Sequence, residues 1–524
     1  MSARLATSAL ILSLWFAGSG ARARGAEPLE SRIEKVLQSP GYQAAHWGLL
    51  VVDGKTGKTV LERNADQMFC PASVTKLFST AAALVDLGAD YRFQTPVVRR
   101  GRVDDAGALH GDLILVARGD LCLGGRTSPE GSLLFEDSDH TYANGNYRAT
   151  LVACDPLAGL DHLAREVLAA GIKRVTGDVL IDDRLFQPAE STGSGPARVV
   201  PILVNDNVVD VVTVPASKPG EPATVSIVPA TAFVTMDAQV ETVENDRSPR
   251  VEIRHAGPRQ FTVRGRVPVG HKPVVKTYEV DEPAAYARTL FIEALRKRGV
   301  RIEAAALGEN ASDRLPPRDE VVKLAKVAEY TSPPFREYVR VILKVSHNLH
   351  ASTLPLLIAA HHDETTLHAG LKREGHLLKE LGIDISTIAF GGGAGGARAD
   401  LVTPRATVAL LQAMARRPDF RAYEEALPVL GRDGTLARAV AADSPARGHA
   451  RAKTGTYFVD NELNGTSVLT SKALAGFMET ASGRPLVFAF FLNDVPMTNT
   501  TEGTDRAGKL LGSLCEAVYL DGSQ

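Results

Sequence analysis

From Thr75 to Gly88 the chain reads TKLFSTAAALVDLG, with small or apolar residues at most positions. That pattern predicts a helix buried on most sides, because a surface helix would show a polar face every three to four residues. Just upstream, WGLLVVDGKTGKTVLERNAD alternates an apolar run, a Gly-containing turn and a second run, which predicts a β-hairpin. SRIEKVLQSP before it reads as a short helix. From about residue 91 to 325 the texture changes. Short strand-like runs such as LHGDLILVARGD, TGDVLIDDRLF, NVVDVVTVPAS and QFTVRGRVPV are separated by Pro, Gly and Asp turns. Two helical patterns interrupt them, LDHLAREVLAAGI and PAAYARTLFIEALRKRGV. Helices return in REYVRVILKVSHNLHASTLPLLIAAHH, HAGLKREGHLLKELG and ATVALLQAMARR. Three strands follow, GHARAKTGTYF, ALAGFMET and PLVFAFFLND, and an amphipathic helix around DRAGKLLGSLCEAVYL closes the chain. A hairpin at one end and three strands at the other can share one sheet. The simplest architecture is a discontinuous α/β domain built from residues 26–90 and 326–524, with 91–325 as β-rich insert domains.

Charge adds an exclusion. The 59 basic and 61 acidic residues leave a net charge of −2, and no Lys/Arg run stands out, so no nucleic-acid partner is implied. Arg4, the apolar LATSALILSLWFAG and the small residues of GSGARARGAEP follow the order of a secretory signal peptide, residues 1–25, with cleavage after Ala23 or Gly25. An uncleaved anchor is the alternative, although the apolar core is short for a span of about 20 residues. The reading is an exported chain, periplasmic or in the cell envelope, with no stable membrane span after leader removal. Cys70, Cys122, Cys154 and Cys515 suit an oxidising compartment but contain no CxxC, and no metal or cofactor is implied. Cys122 and Cys154 flank a loop and are either bridged or free; Cys70 reads as a packing residue.

The chemistry begins inside the apolar helix. Lys76 follows Ser73 by three residues, so one helical turn sets an amine beside a hydroxyl. Serine is a poor nucleophile until a base removes its proton, and lysine serves only when neutral. Burial and a neighbouring cation both favour the neutral form. Further on, Ser346-His347-Asn348 supplies a second hydroxyl and an amide, and Lys453-Thr454-Gly455-Thr456 supplies a cation and two hydroxyls near the start of a strand. An SxxK, an SxN and a KTG in this order form the signature of serine enzymes that attack β-lactams and related peptides. A second KTG, Lys55-Thr56-Gly57, precedes the serine and sits in the predicted hairpin turn, where it is structural. Gly455 is read as leaving room for a substrate along the strand edge.

With these motifs the chain resembles the low-molecular-mass penicillin-binding proteins with D-alanyl-D-alanine carboxypeptidase/endopeptidase activity, peptidase family S13. The likeness extends over PASVTKLFSTAAALVDLGADYRFQT, GDVLIDDRLF, VNDNVVDVV, SPPFREYVRVILKVSHNLHA, LVTPRATVALLQAM and LPVLGRDGTLARA. It implies a β-lactamase/transpeptidase-like fold, an antiparallel sheet with helices, interrupted by inserts. It also implies Ser73 as the acylated nucleophile, Lys76 as its base, Ser346 and Asn348 along the cleft, and Lys453 as the facing cation. Backbone N–H groups of Ser73 and Thr456 would stabilise the oxyanion, and Thr454 and Thr456 would hold the substrate carboxylate. The implied partners are peptidoglycan stem peptides ending in D-Ala-D-Ala, with β-lactams as inhibitors.

Three departures leave alternatives open. Where the family carries a DGSGLS-like loop, residues 392–397 read GGAGGA, so the acid and both serines are missing. His347 stands where Asp or Asn is usual, and Ser352 stands where an acid is expected. A catalytically impaired cell-wall-binding homologue, or a β-lactamase or serine esterase on the same scaffold, therefore competes with an active carboxypeptidase. The glycine run also matches GxGxxG, but Pro404 delays the next helix, so a glycine-rich turn is the reading. His347 is read as pointing outward or, as a minority role, into the cleft. His361, His362, Asp363 and His368 are read as solvated helix-end residues without a partner group.

Overall fold

The computed structural model describes residues 27–522; the leader read at 1–25 lies outside them. The first body combines α1 (Leu29–Leu37), β1 (His46–Asp53), β2 (Thr59–Arg63) and α2 (Thr75–Leu87) with later elements. These are α3 (Phe335–Lys344), α4 (Asn348–His361), α5 (Leu367–Glu380), α6 (Pro404–Ala415), β3 (Ala450–Asn461), β4 (Thr466–Glu479), β5 (Pro485–Asn493) and α7 (Thr500–Tyr519). The sheet order is β3-β4-β5-β1-β2, with every neighbouring pair antiparallel. The strands predicted at the two ends of the chain thus meet in one sheet, and β3 lies at an edge of that order.

Side-chain alternation explains why the central strands read as unbroken apolar runs. Phe488, Phe490 and Leu492 of β5 face α1 and α7, packing with Leu29, Ile33, Leu511 and Leu514. Val487, Ala489 and Phe491 face the other way, onto the layer containing α2, α3, α4 and α6. With helices on both faces, β5 is apolar from Leu486 through Leu492, and its one buried polar residue, Asn493 at the end, is paired with the Cys70 backbone at 2.8 and 3.2 Å. In the middle of this second layer lies α2, buried from Thr75 through Leu84, which accounts for its lack of a polar face. Gly88 ends it at φ +86, with its N–H on the Leu84 carbonyl at 3.0 Å.

The segment read as one helical stretch, 336–362, is two helices. The chain breaks at Ser346, whose φ of +63 cannot continue a right-handed helix, and restarts with His347 as the N-cap of α4.

Between α2 and α3 the chain builds a second core. A six-stranded sheet contains Gln94–Val103, Ala108–Val116 and Ala325–Thr331, and the predicted helices, Ala158–Ala169 and Pro283–Lys297, pack into the same core. Two three-stranded sheets complete it, Thr224–Val228/Val208–Val214/Val274–Glu279 and Thr235–Val243/Gln260–Pro268/Arg250–Gly257. The chain enters and leaves side by side, because Ala325–Thr331 pairs antiparallel with Gln94–Val103. That geometry lets a long segment sit inside the first body without separating α2 from α3. Cys70, Cys122, Cys154 and Cys515 are all free thiols. No helix among the described residues is long and apolar enough to cross a membrane.

Candidate active site

Ser73 sits in a 3-10 turn, Ala72–Val74, that feeds directly into α2, and Lys76 occupies the first turn of the helix. The spacing therefore does what it predicts: Lys76 Nζ lies 2.9 Å from Ser73 Oγ. Two further oxygens hold the amine, Asn348 Oδ1 at 2.7 Å and the Ala394 carbonyl at 2.6 Å. Lys76 is completely buried. Desolvation, reinforced by the charge of Lys453 and opposed by Asp400, holds it well below the ordinary lysine value. A neutral amine has two N–H bonds and one lone pair. Its two hydrogens fit Asn348 Oδ1 and the Ala394 carbonyl, leaving the lone pair for the hydroxyl proton of Ser73.

Lys453, on β3, is also fully buried, and its Nζ lies 2.9 Å from both Ser346 Oγ and the Thr454 carbonyl. Burial pushes this ammonium down to about 7. The second motif is held from the inserted segment. Tyr142 donates its phenol O–H to the Ser346 carbonyl at 2.7 Å, and Asn348 Nδ2 donates to Ser194 Oγ at 2.8 Å. Asn348 is thus fixed at both ends of its amide, one by Lys76 and one by Ser194. Neither Tyr142 nor Ser194 belongs to a motif, and nothing local in the sequence marks them.

Thr454 and Thr456 reach the same cleft of about 1100 Å³ as Ser73, Ser346 and Asn348. Lys76 and Lys453 lie beneath its surface. Gly455 has a different reason from the one expected. A Cβ there would stand 2.3 Å from the Pro71 carbonyl and 3.3 Å from Ala72 Cβ, so the glycine lets the Ser73 turn press against β3. Its absent side chain brings motif to motif rather than clearing a substrate path.

The constellation of Ser73, Lys76, Ser346, Asn348 and Lys453 joins three distant parts of the chain, and the match to known proteins covers the same parts. Residues 29–512 match the D-Ala-D-Ala carboxypeptidase 3 (S13) family. The chain belongs to this family. It is 32% identical over 479 residues to a D-alanyl-D-alanine carboxypeptidase of Actinomadura sp. (strain R39), covering 85% of this chain and 80% of that one. It is 23% identical over 480 residues to the D-alanyl-D-alanine carboxypeptidase DacB of Haemophilus influenzae, covering 89% of each. The fold is similar to that of penicillin binding protein 4 from Haemophilus influenzae, with a TM-score of 0.70 and 21% identity over 93% of this chain and 98% of that one. That protein has also been solved in complex with a β-lactam, and there the TM-score to this chain is 0.67.

Against the S13 pattern, the glycine loop is the main departure, and the structure gives it a task. The Ala394 carbonyl accepts from Lys76, and the Gly393 carbonyl accepts from Ser79 Oγ at 2.8 Å. A Cβ on Gly395, at φ +87, would stand 1.9 Å from the Ala72 carbonyl, and one on Gly393 would stand 2.1 Å from the Ala351 carbonyl. The loop is glycine-rich because it is wedged between α4 and the Ser73 turn; no helix follows until α6 at Pro404, so it has no dinucleotide-binding form. An acid is present, but further along. Asp400 accepts from the Gly391 and Ala397 N–H groups at 2.8 and 3.1 Å, and burial raises its carboxyl to about 6 against those two bonds and the charge of Lys76.

His347 neither points outward nor enters the cleft. It is fully buried and stacks on His350 with ring centroids 3.6 Å apart. Both rings meet Asp206 of the inserted segment, His347 Nε2 at 3.2 Å and His350 Nε2 at 2.9 Å. The same carboxylate receives Arg126 at 2.9 Å and His140 at 2.7 Å. Burial works against charge here, but His347, Arg126 and His350 hold Asp206 well below the usual carboxylate range. The motif residue that looked out of place is therefore one half of a bond between the two bodies. Ser352, in place of an acid, accepts from the Thr192 N–H at 3.2 Å. His361 and His362 do have a partner group, contrary to expectation: both meet Asp86 of α2, at 2.9 and 2.7 Å.

Proposed function

We propose that this protein is a serine D-Ala-D-Ala carboxypeptidase/endopeptidase that cleaves peptidoglycan stem peptides through an acyl-enzyme on Ser73 and is trapped by β-lactams. The observation that carries the reading is the buried Lys76 amine, 2.9 Å from Ser73 Oγ, with both N–H bonds committed to other oxygens. In this reading Ser73 Oγ adds to the carbonyl carbon between the two D-Ala residues while its proton passes to Lys76 Nζ. Backbone N–H groups of Ser73 and Thr456 receive the oxyanion, a device worth about 3–4 kcal/mol per donor. The C–N bond then breaks, and the departing D-Ala nitrogen takes the proton through the Ser346 hydroxyl, which Lys453 orients at 2.9 Å. Lys76 is neutral again and can deprotonate the water that hydrolyses the ester. Thr454 and Thr456 hold the terminal carboxylate.

The impaired-homologue alternative rested on the missing acid and serines at 392–397. The main-chain carbonyl of Ala394 still fixes Lys76, which supports an active enzyme. The catalytic domain would then be residues 26–90 and the chain after 331, with 91–331 as the insert domains rather than 91–325, because the strand Ala325–Thr331 pairs with Gln94–Val103. The leader at 1–25 would deliver the chain to the periplasm or cell envelope.

A fluorescent penicillin tests the reading. The label is expected on the peptide containing Ser73, to be lost in a folded Lys76→Ala variant by about 100- to 10,000-fold in rate, and to coincide with D-Ala release from a synthetic pentapeptide. Label at full rate in Lys76→Ala would remove the proposed base, and rapid drug hydrolysis without D-Ala release would point to a β-lactamase.

A further inference from the structure

Two groups of His and Asp side chains among the described residues bring three potential ligand atoms within 4.8 Å of one another. They are Asp206 with His347 and His350, and Asp86 with His361 and His362. In the buried group the place of a cation is already taken. Arg126 Nη2 lies 2.9 Å from Asp206, 2.7 Å from Asp139 and 3.3 Å from His347 Nε2. At Asp86 no ammonium or guanidinium bonds the carboxylate among the described residues. His361 Nδ1 meets Asp86 Oδ2 at 2.9 Å, and His362 Nε2 meets Oδ1 at 2.7 Å. Arg373, whose charge reaches Asp86, is bonded instead to Glu364 at 3.1 and 3.3 Å.

The way α4 ends sets the two rings. Asp363 turns left-handed at φ +59, and the Glu364 N–H closes on the Ala359 carbonyl at 2.9 Å. His361 and His362 thus leave the helix from a fixed turn, with ring planes 63° apart. Asp86 comes from the last turn of α2, with its side chain nearly buried. The two helices run in the same direction, since Lys76 meets Asn348 near their starts and Asp86 meets the histidines at their ends. Two helix C-termini, each carrying roughly half a negative charge, therefore converge where an acid already stands. A cation is the charge this end lacks.

We propose that Asp86, His361 and His362 form a zinc site that ties the C-terminal end of α2 to that of α4. Two imidazole nitrogens and a carboxylate are donors that zinc takes at about 2.0–2.2 Å, with water in the fourth tetrahedral position. Ligand atoms around such an ion stand about 3.3 Å apart, so the present contacts must open by about half an ångström. The histidine rings are exposed and have room to swing that far. His361 Nε2 and His362 Nδ1 have no hydrogen bond among the described residues. Each ring can carry its proton on that outer nitrogen and turn the inner lone pair to the ion. A hard cation such as Mg²⁺, which prefers oxygen ligands, gains nothing from the two imidazoles. The site lies about 15–20 Å along the helices from their catalytic ends, so the inference does not depend on the chemistry at Ser73.

Calorimetric titration of ZnCl₂ into untagged, chelator-treated protein tests the site, alongside a thermal melt at each zinc concentration. The expected result is one zinc ion per chain and a melting temperature that rises with zinc, with neither effect from MgCl₂ at the same concentrations. His361→Gln, His362→Gln and Asp86→Asn are each expected to lower zinc affinity by at least about tenfold and to flatten the zinc dependence of the melt. His110→Gln is the control, because His110 meets Asp104 at 2.7 Å outside either group and its loss should leave zinc binding unchanged. Absence of zinc binding to the parent, full affinity in either histidine variant, loss of binding in His110→Gln, or an equal effect of MgCl₂ would overturn the proposal. If Asp86→Asn fails to fold, the two histidine variants decide.

Discussion

Gly395→Ala is the sharpest probe of the glycine loop. The added Cβ would sit 1.9 Å from the Ala72 carbonyl oxygen, whereas real Cβ atoms essentially never approach below 3.0 Å. The loop or the Ser73 turn must therefore move by about 1 Å or more. The neighbouring Ala394 carbonyl would move with it, stretching a 2.6 Å bond from Lys76 beyond hydrogen-bonding range. A buried N–H without an acceptor costs about 1–3 kcal/mol. If that cost falls on the poised arrangement of Lys76, penicillin acylation slows by about 5- to 150-fold. Left-handed backbone at alanine adds about 1–2 kcal/mol of its own. The control is Gly382→Ala, at φ +81 with no atom within 4 Å of the new carbon. It carries the same backbone strain without the collision. The assay is the second-order rate of labelling by fluorescent penicillin, alongside a thermal melt of each variant. The control is expected to lose stability only. A folded Gly395→Ala protein that labels within twofold of the parent would refute the argument that this loop sets the amine.

Two other outcomes follow from the same geometry. Lys453→Met removes a positive charge that helps keep Lys76 neutral, so the pH at which acylation reaches half its maximum is expected to rise. It should stay below the ordinary lysine value, because desolvation is the larger cause; a midpoint that does not move would show that the two amines do not interact. Asp206→Asn leaves Arg126, His140, His347 and His350 around a neutral side chain, a loss of about 3–5 kcal/mol for a broken buried network. The Asp206 carboxylate is depressed in the folded protein, so its stabilisation is present above the unfolded carboxylate value and disappears as pH falls through the folded one. The variant is expected to melt well below the parent at pH 7 and to acylate more slowly, with the stability gap narrowing in strong acid. An equal melting temperature at pH 7 would show that this network does not tie the two bodies together.

Much of the site was legible because its signals are local. Ser73 and Lys76 are one helical turn apart, and that relation holds wherever the helix is placed. The unbroken apolar runs of α2 and β5 state that both are covered all round, and the strand pattern of 450–494 shows a meander. Family likeness supplied the order in which the three motifs combine. The structure then corrected the residues whose meaning depends on a neighbour far away in the chain. His347 looked free to point at solvent, yet Asp206 waits for it from the inserted segment. Gly455 looked like clearance for a substrate, yet it is clearance for Pro71. The glycine run looked like a turn, and its density was the one available sign that something presses on it from two sides.

By itself, then, the sequence determined which groups could react and which elements carry them, since short-range spacing and periodicity follow from backbone geometry alone. Only the tertiary structure decided the protonation of Lys76, because that depends on burial by α2's neighbours and on oxygens from Asn348 and Ala394 that the fold delivers across hundreds of residues. It also decided which side of β3 faces the Ser73 turn and which faces Lys472, a choice made by strand pairing that no single stretch of chain records.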